Sequence, residues 1–261
     1  GLEEEIILCI NNPRDNPQLM TVNLVEFPSI SGDTFQWYYN GAEINGATNA
    51  TYEANAGGSY KIEVSRTFEN DFTDLTDDTI CTGFTIFTVV ESNPPIIRNE
   101  DLSITDDSTN NTISVSTGNL GSGDYEFSLN NEFFSYQDEP YFEDVEAGIH
   151  TLFIRDKNGC GLSSIELAII GYPKFFTPNN DGQNDKWKVL GVNENFYVNS
   201  NIFIYNRYGK LITQIDPRGE GWDGTFNGEV LPSTDYWFSV ELKDDIGNVT
   251  IKKGHFSLFR Q

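Results

Sequence analysis

The stretch YWFSVELK, residues 236–243, decides the fold class. Tyr236, Phe238, Val240 and Leu242 alternate with Trp237, Ser239, Glu241 and Lys243, and a period of two gives a pleated strand one buried face. The same beat runs through SYKIEVS (59–65), on Tyr60, Ile62 and Val64, and through YEFSLN (125–130), on Tyr125, Phe127 and Leu129. No segment of ten or more residues keeps a helical period. Turn-forming clusters, NGAEINGAT (40–48), NAGG (55–58), KNGCG (157–161) and RYGK (207–210), separate the runs at the spacing of sandwich proteins. The 19 Phe, 12 Tyr and 4 Trp suit half-buried pleated surfaces. The chain reads as all-β.

Two stretches break the strand pattern. ESNPP (91–95) carries a double proline that cannot continue a ladder, and GYPKFFTPNNDG (171–182) joins two prolines to an Asn/Asp/Gly cluster. They divide the 261 residues into 1–93, 94–171 and 172–261, each close to the length of an immunoglobulin-like sandwich of about 100 residues. Three tandem sandwiches are expected.

Sixteen basic and 40 acidic residues give a net charge of −24, which repels phosphate backbones and anionic membrane surfaces. Nucleic acid is excluded as a partner class. No apolar run approaches the ~20 residues of a membrane-spanning helix. Gly1-Leu2-Glu3 leads directly into the apolar run IILCI, and the chain reads as part of a longer protein. Catalysis is not expected. The two histidines, His150 and His255, fall in separate domains, and no nucleophile, zinc-protease, phosphate-loop or dinucleotide pattern accompanies them. Three cysteines without metal-type spacing exclude a zinc site. Cys9 and Cys81 are the pair expected to join across the first domain, leaving Cys160 over and implying an oxidising compartment.

The first segment resembles an Ig-like domain, with Trp37 in FQWYYNG on one sheet and Tyr60 on a facing strand. It departs from that pattern because Cys81 lies far beyond Tyr60, where a corner tyrosine has its cysteine two residues on. The second segment, with YEFSLNNEFF and VEAGIHTLFIRDKNGCG, resembles repeats of large bacterial surface adhesins. From residue 171 the ordered set GYPKFFTPNNDGQNDKW, IFIYNRYGKLI, GEGWDGTFNGEVLPSTDYWFSVEL and KGHFSLFR resembles the gliding-motility-associated C-terminal domain, the type B sorting domain of type IX secretion. The resemblance implies an export address: passage through the type IX translocon, display on the cell surface or release, and an outer-membrane partner of the PorP/SprF type. The preceding domains would form an adhesin stalk.

Two local expectations accompany it. Aligned by Gly182 to an EF-hand loop, TPNNDGQND places Asn179, Asp181, the Gln183 carbonyl and Asp185 as calcium ligands, with Lys188 where the bidentate Glu belongs. The other reading of the loop is a turn held by Asn and Asp side chains, with no metal. In the last strand Phe256 and Leu258 alternate with His255, Ser257 and Phe259, and His255, Phe256 and Phe259 are candidates for contact with a partner. Two readings rival it: a carbohydrate- or surface-binding adhesin module, with NEFFSYQDEPYF (131–142) as its candidate surface, and the non-catalytic tail of a secreted enzyme.

Overall fold

The computed structural model describes residues 3–11, 18–21, 31–68, 79–107, 110–197, 199–216, 219–244 and 247–260. The chain is all-β; among the described residues only two short 3-10 turns are helical, and no helix is long and apolar enough to cross a membrane. Contacts group the chain into two compact units. One comprises Gly1–Ile96, Gly118–Glu126 and Ile154–Ser163, and the other Ile97–Thr117, Phe127–Phe153 and Ser164–Gln261. The segment between the two proline-rich stretches contributes to both.

The first strands are β1 (Glu3–Cys9), β2 (Gln18–Thr21), β3 (Thr34–Tyr39), β4 (Ala42–Glu43), β5 (Thr51–Ala54), β6 (Gly58–Phe68) and β7 (Thr79–Ser92). Five form a sheet in the order β1-β7-β6-β3-β4, and β2 pairs with β5. β1 runs parallel to β7; the other pairings in the sheet are antiparallel. The alternation of SYKIEVS is realised as read: Tyr60 and Ile62 point into a core with Trp37, Phe87, Val89, Leu8 and Ala54 of β5. Trp37 is fully buried, lies against Phe87 with ring centroids 5.8 Å apart, and donates its Nε1–H to the Asn49 carbonyl at 2.9 Å. That bond removes the cost of burying the indole nitrogen.

The middle strands are β8 (Leu102–Thr105), β9 (Thr112–Val115), β10 (Tyr125–Leu129), β11 (Tyr141–Phe142), β12 (Gly148–Asp156) and β13 (Leu162–Ile169). They form two three-stranded sheets, β10-β12-β13 and β11-β9-β8. The last strands are β14 (Phe175–Phe176), β15 (Asn201–Tyr205), β16 (Leu211–Ile215), β17 (Thr225–Phe226), β18 (Glu229–Val230), β19 (Thr234–Lys243) and β20 (Val249–Leu258). Their main sheet has the order β14-β20-β19-β15-β16, again with one short parallel edge strand and antiparallel pairs elsewhere. This order and these senses repeat those of the first sheet.

A second feature recurs along the chain. Tyr60, His150 and Tyr236 are each the third residue of a long strand, and each is buried. The Tyr60 hydroxyl donates to the Ala56 carbonyl at 3.1 Å, and the Tyr236 hydroxyl to the Pro232 carbonyl at 3.0 Å. His150 Nε2 lies 2.7 Å from the Glu146 carbonyl, so that nitrogen carries the proton, and its Nδ1 faces the Asn130 side-chain amide at 2.8 Å. In every case a side-chain polar group reaches back four residues and ties the strand to the chain entering it. This is the bonding of a tyrosine corner.

The structure corrects the cysteine pairing: Cys9 is joined to Cys160, with Cα atoms 5.2 Å apart, and Cys81 is a free, exposed thiol. The register explains it. Cys9 lies opposite Ser92 at the end of β7, and Cys81 is eleven residues back along that strand, about 35 Å away at ~3.3 Å per residue. Cys160 reaches Cys9 from the turn after β12, where the buried Asp156 carboxylate accepts the Cys160 amide at 3.1 Å.

The stretch around ESNPP ends β7, and it is packed on both sides. Ser92 and Asn93 are buried. The Asn93 amide N–H donates to the Ser122 carbonyl at 2.7 Å, Ser122 N–H donates to Asn93 Oδ1 at 2.6 Å, and the Tyr125 hydroxyl donates to the Asn93 carbonyl at 3.1 Å. Ser163 Oγ donates to the Pro95 carbonyl at 2.5 Å. The prolines end the ladder without loosening the joint.

Candidate functional site

The region from Gly171 onward encloses a core unusually rich in aromatic rings: Phe176, Trp187, Trp222, Tyr236, Phe238 and Phe256. Trp187 and Phe256 stack with centroids 4.2 Å apart and planes 13° from parallel. Phe256 is wholly buried, which corrects its assignment to a partner surface: it faces inward with Leu258, and their alternation with His255, Ser257 and Phe259 runs as the sequence indicates. Full burial of one such ring contributes about 2–3 kcal/mol, and that favours the interior over an exposed contact.

The opening loop is organised around Asp185. Its Oδ1 accepts the amides of Asn179 at 3.0 Å and Asn180 at 2.6 Å, and its Oδ2 accepts that of Gly182 at 2.8 Å. Asn179 Oδ1 accepts the Asp181 amide at 3.0 Å, and Asp181 Oδ1 accepts the Gln183 amide at 2.7 Å. Gly182 adopts φ +85°, the left-handed region that glycine enters without strain. Partial burial opposes the Asp185 charge, but the amides of Gly182, Asn180 and Asn179, helped by Lys186, outweigh it and hold the carboxyl below its ordinary range. Three of the four proposed calcium ligands, Asn179, Asp181 and Asp185, are therefore brought together with side-chain oxygens turned to backbone N–H groups. Three converging N–H dipoles place positive partial charge where a cation would sit, and this donor set fits a self-bonded turn better than a calcium cage. Among the described residues no group of three His, Cys, Asp or Glu side chains is arranged to hold a metal ion.

Trp222 belongs to the same core and lies against Phe176 with ring centroids 5.5 Å apart. Its Nε1–H donates to the Thr225 carbonyl at 2.8 Å, and Asp223 Oδ1 accepts the Thr225 amide at 3.0 Å. Trp187 and Trp222 exchange backbone hydrogen bonds of 2.8 and 2.9 Å. Arg260 closes the arrangement. Its guanidinium donates to the carbonyls of Leu231 at 3.1 Å and Gly224 at 3.0 Å, with longer contacts of 3.4 Å to Pro178 and Asp223, while its amide donates to Ser233 Oγ at 2.8 Å. One side chain thus clasps the opening loop, the Trp222 turn and the entry to β19. A single arginine at the end of a strand carries no pattern that announces such a role.

At the other end of this region Tyr172 stacks on Phe238, with centroids 5.1 Å apart and planes 9° from parallel. Burial, with Asp107 and Asp106 nearby, pushes its hydroxyl well above the ordinary phenol range. Lys252 pairs with Asp107 beside it. Gly171 exchanges backbone bonds with Leu190, and a Cβ at Gly171 would lie 2.3 Å from that of Ala147. Phe175 is 48% exposed on the edge strand β14, and it is Tyr172 and Gly171 that make the close contacts.

The outer face of the sheet carries the remaining candidates. His255 lies across from Trp237, their rings 6.1 Å apart, and Trp237 pairs with Tyr205 on the next strand. Phe259, 53% exposed, meets Phe175 at 6.1 Å. Trp237, 40% exposed, belongs to this set although strand alternation alone marks it only as facing away from the core. The four exposed rings lie on neighbouring strands of one surface.

The comparisons bear on this region. Residues 170–258 match the CHU_C type IX secretion signal domain. The type IX signal domain so delimited contains β14 to β20, the Asp185 loop, the Trp222 turn and most of the outer aromatic face. No curated protein matches the sequence. Among solved structures, the glucan-utilisation protein SGBP-B of Bacteroides ovatus is 12% identical, with 98% of this chain and 67% of that one covered at a TM-score of 0.22. A 1.5-MDa bacterial ice-binding adhesin is 9% identical (89% and 88% covered, TM-score 0.26), and dimeric latent PorU of Porphyromonas gingivalis is 13% identical (88% and 30% covered, TM-score 0.24). These scores are too low to carry an argument.

Proposed function

We propose that this chain is a non-catalytic part of a cell-surface protein, built of three tandem Ig-like sandwiches at 1–93, 94–171 and 172–261. The last is the address for type IX export and attachment at the outer membrane, and the others are a stalk of adhesin type. The observation that carries the reading is that the signal-domain match coincides with a sandwich having its own complete aromatic core. The repeated sheet order and the recurrent corner bonds of Tyr60, His150 and Tyr236 support the division into three. The outer face bearing Phe175, Trp237, His255 and Phe259 is the surface offered to the translocon or to a PorP/SprF-type partner. The test is surface display in a type IX-secreting bacterium, read by antibody on intact cells. Removing 171–261 is expected to abolish display; equal display of the truncated chain sinks the reading.

A second reading has its own observation. Phe133 and Phe134 are each 71% exposed, on a loop fixed by Asn131 Oδ1, which accepts both their amides at 3.0 and 2.8 Å. Rings held out on a rigid loop suit contact with a carbohydrate or another surface. Phe133→Ser with Phe134→Ser is expected to leave display intact; loss of adhesion in that variant supports a binder, and unchanged adhesion removes it.

A further inference from the structure

We propose that the Cys9–Cys160 disulfide is a covalent shortcut that carries tension past all but the first and last strands of the two leading sandwiches. The inference rests on covalent connectivity and does not require the sorting reading. Cys9 is the last residue of β1, and Cys160 lies 151 residues further along, just before β13. A pull between the ends of the chain enters β1, crosses the disulfide and leaves through β13. The residues from 10 to 159, which hold β2 to β12, hang from this path as a closed loop that cannot lengthen while the bond holds, and only β1 and β13 of the strands up to residue 169 lie on the path itself.

The surroundings of the bond suit a fixed strut. Ile10 N–H donates to the Ser92 carbonyl at 2.7 Å directly after Cys9, and Asn158 Nδ2 donates to Ser92 Oγ at 3.3 Å two residues before Cys160. The turn bearing Cys160 is closed by an Asp156 N–H bond to the Gly161 carbonyl at 2.9 Å. Gly161 has φ +155°, and a Cβ there would lie 2.8 Å from Pro94, so backbone and proline are in direct contact. Both cysteines lie within one compact unit, and the bond braces a packed joint. A hydrogen-bonded sandwich under shear gives way strand by strand, whereas a covalent bond does not, so the weakest elements left in the path are those after Cys160.

The experiment is single-molecule stretching of the full chain in a Cys81→Ser background, which removes the exposed thiol. The oxidised protein is expected to show rupture events only from residues outside the loop. Adding a reductant, or substituting Cys160→Ser, is expected to add 151 backbone steps, roughly 500 Å of extended chain at ~3.3–3.6 Å per residue. Extension of β2 to β12 then appears for the first time, after the detachment of β1 and β13 that both forms show. The reductant arm reads the same length on unsubstituted Cys9 and Cys160 if the variant folds poorly. Equal extension with and without reductant overturns the proposal. So does titration of two thiols in the unfolded, unreduced Cys81→Ser protein where none is expected.

Discussion

At the scale of single residues, stability hangs on side chains that return to the backbone. Tyr60→Phe and Tyr236→Phe each keep the ring and lose one bond to a carbonyl, at a cost of about 1 kcal/mol each. Urea denaturation of the full chain measures it, and no shift in either midpoint removes the corner role. Arg260→Ala frees several carbonyls at once and is expected to cost about 1–3 kcal/mol. Asp185 sets an acid limit. Its folded carboxyl titrates below the unfolded one, so its contribution is present above the unfolded pKa and is lost as pH falls through the folded value. Asp185→Asn is therefore expected to flatten the acid side of the melting-temperature profile, below about pH 4. A profile identical to that of the native protein contradicts this.

Among elements, β20 shows what alternation tells and what it omits. Period two separates Phe256 and Leu258 from His255 and Phe259, as it separates Tyr60 and Ile62 from their neighbours in β6, but with apolar residues on both faces it does not say which face of β20 is inward, and Phe256 is misassigned for that reason. Which exposed ring meets which was not legible, because Trp237 meets His255 only in the particular β19–β20 register, and Phe175 meets Phe259 through strands far apart in sequence. The pairing of Cys9 failed for the same reason: a parallel β1–β7 register cannot be read from either strand alone. Trp237→Ser with Phe259→Ser is expected to reduce attachment at the cell surface while leaving the melting temperature within a few degrees, since neither ring is in the core. For the Asp185 loop, calcium at millimolar concentration is expected to leave the melting temperature unchanged; a rise of several degrees restores the EF-hand-like reading.

In the whole molecule the charge is unevenly placed. Residues 1–170 hold six lysines and arginines against 29 aspartates and glutamates, whereas 171–261 hold ten against eleven. Nearly all of the net charge belongs to the leading part, and self-repulsion there is screened by salt. Raising ionic strength is expected to stabilise residues 1–170 more than residues 171–261, which hydrogen exchange of the full chain at low and high salt measures as a larger gain in protection in the leading part. The composition alone gave no sign that the two proline-rich stretches would be packed joints, because proline reports only that a ladder ends.

The joint at Gly171 also bears on recombinant use. A cargo gene spliced to this domain at residue 170, where the family match begins, retains Ile170 as part of the terminal core but deletes Ala147 and Asp107. The passenger then inherits a bare glycine contact and a lysine stripped of its counter-ion. Where the splice is placed thus sets the solubility of a fusion as much as the motifs it carries.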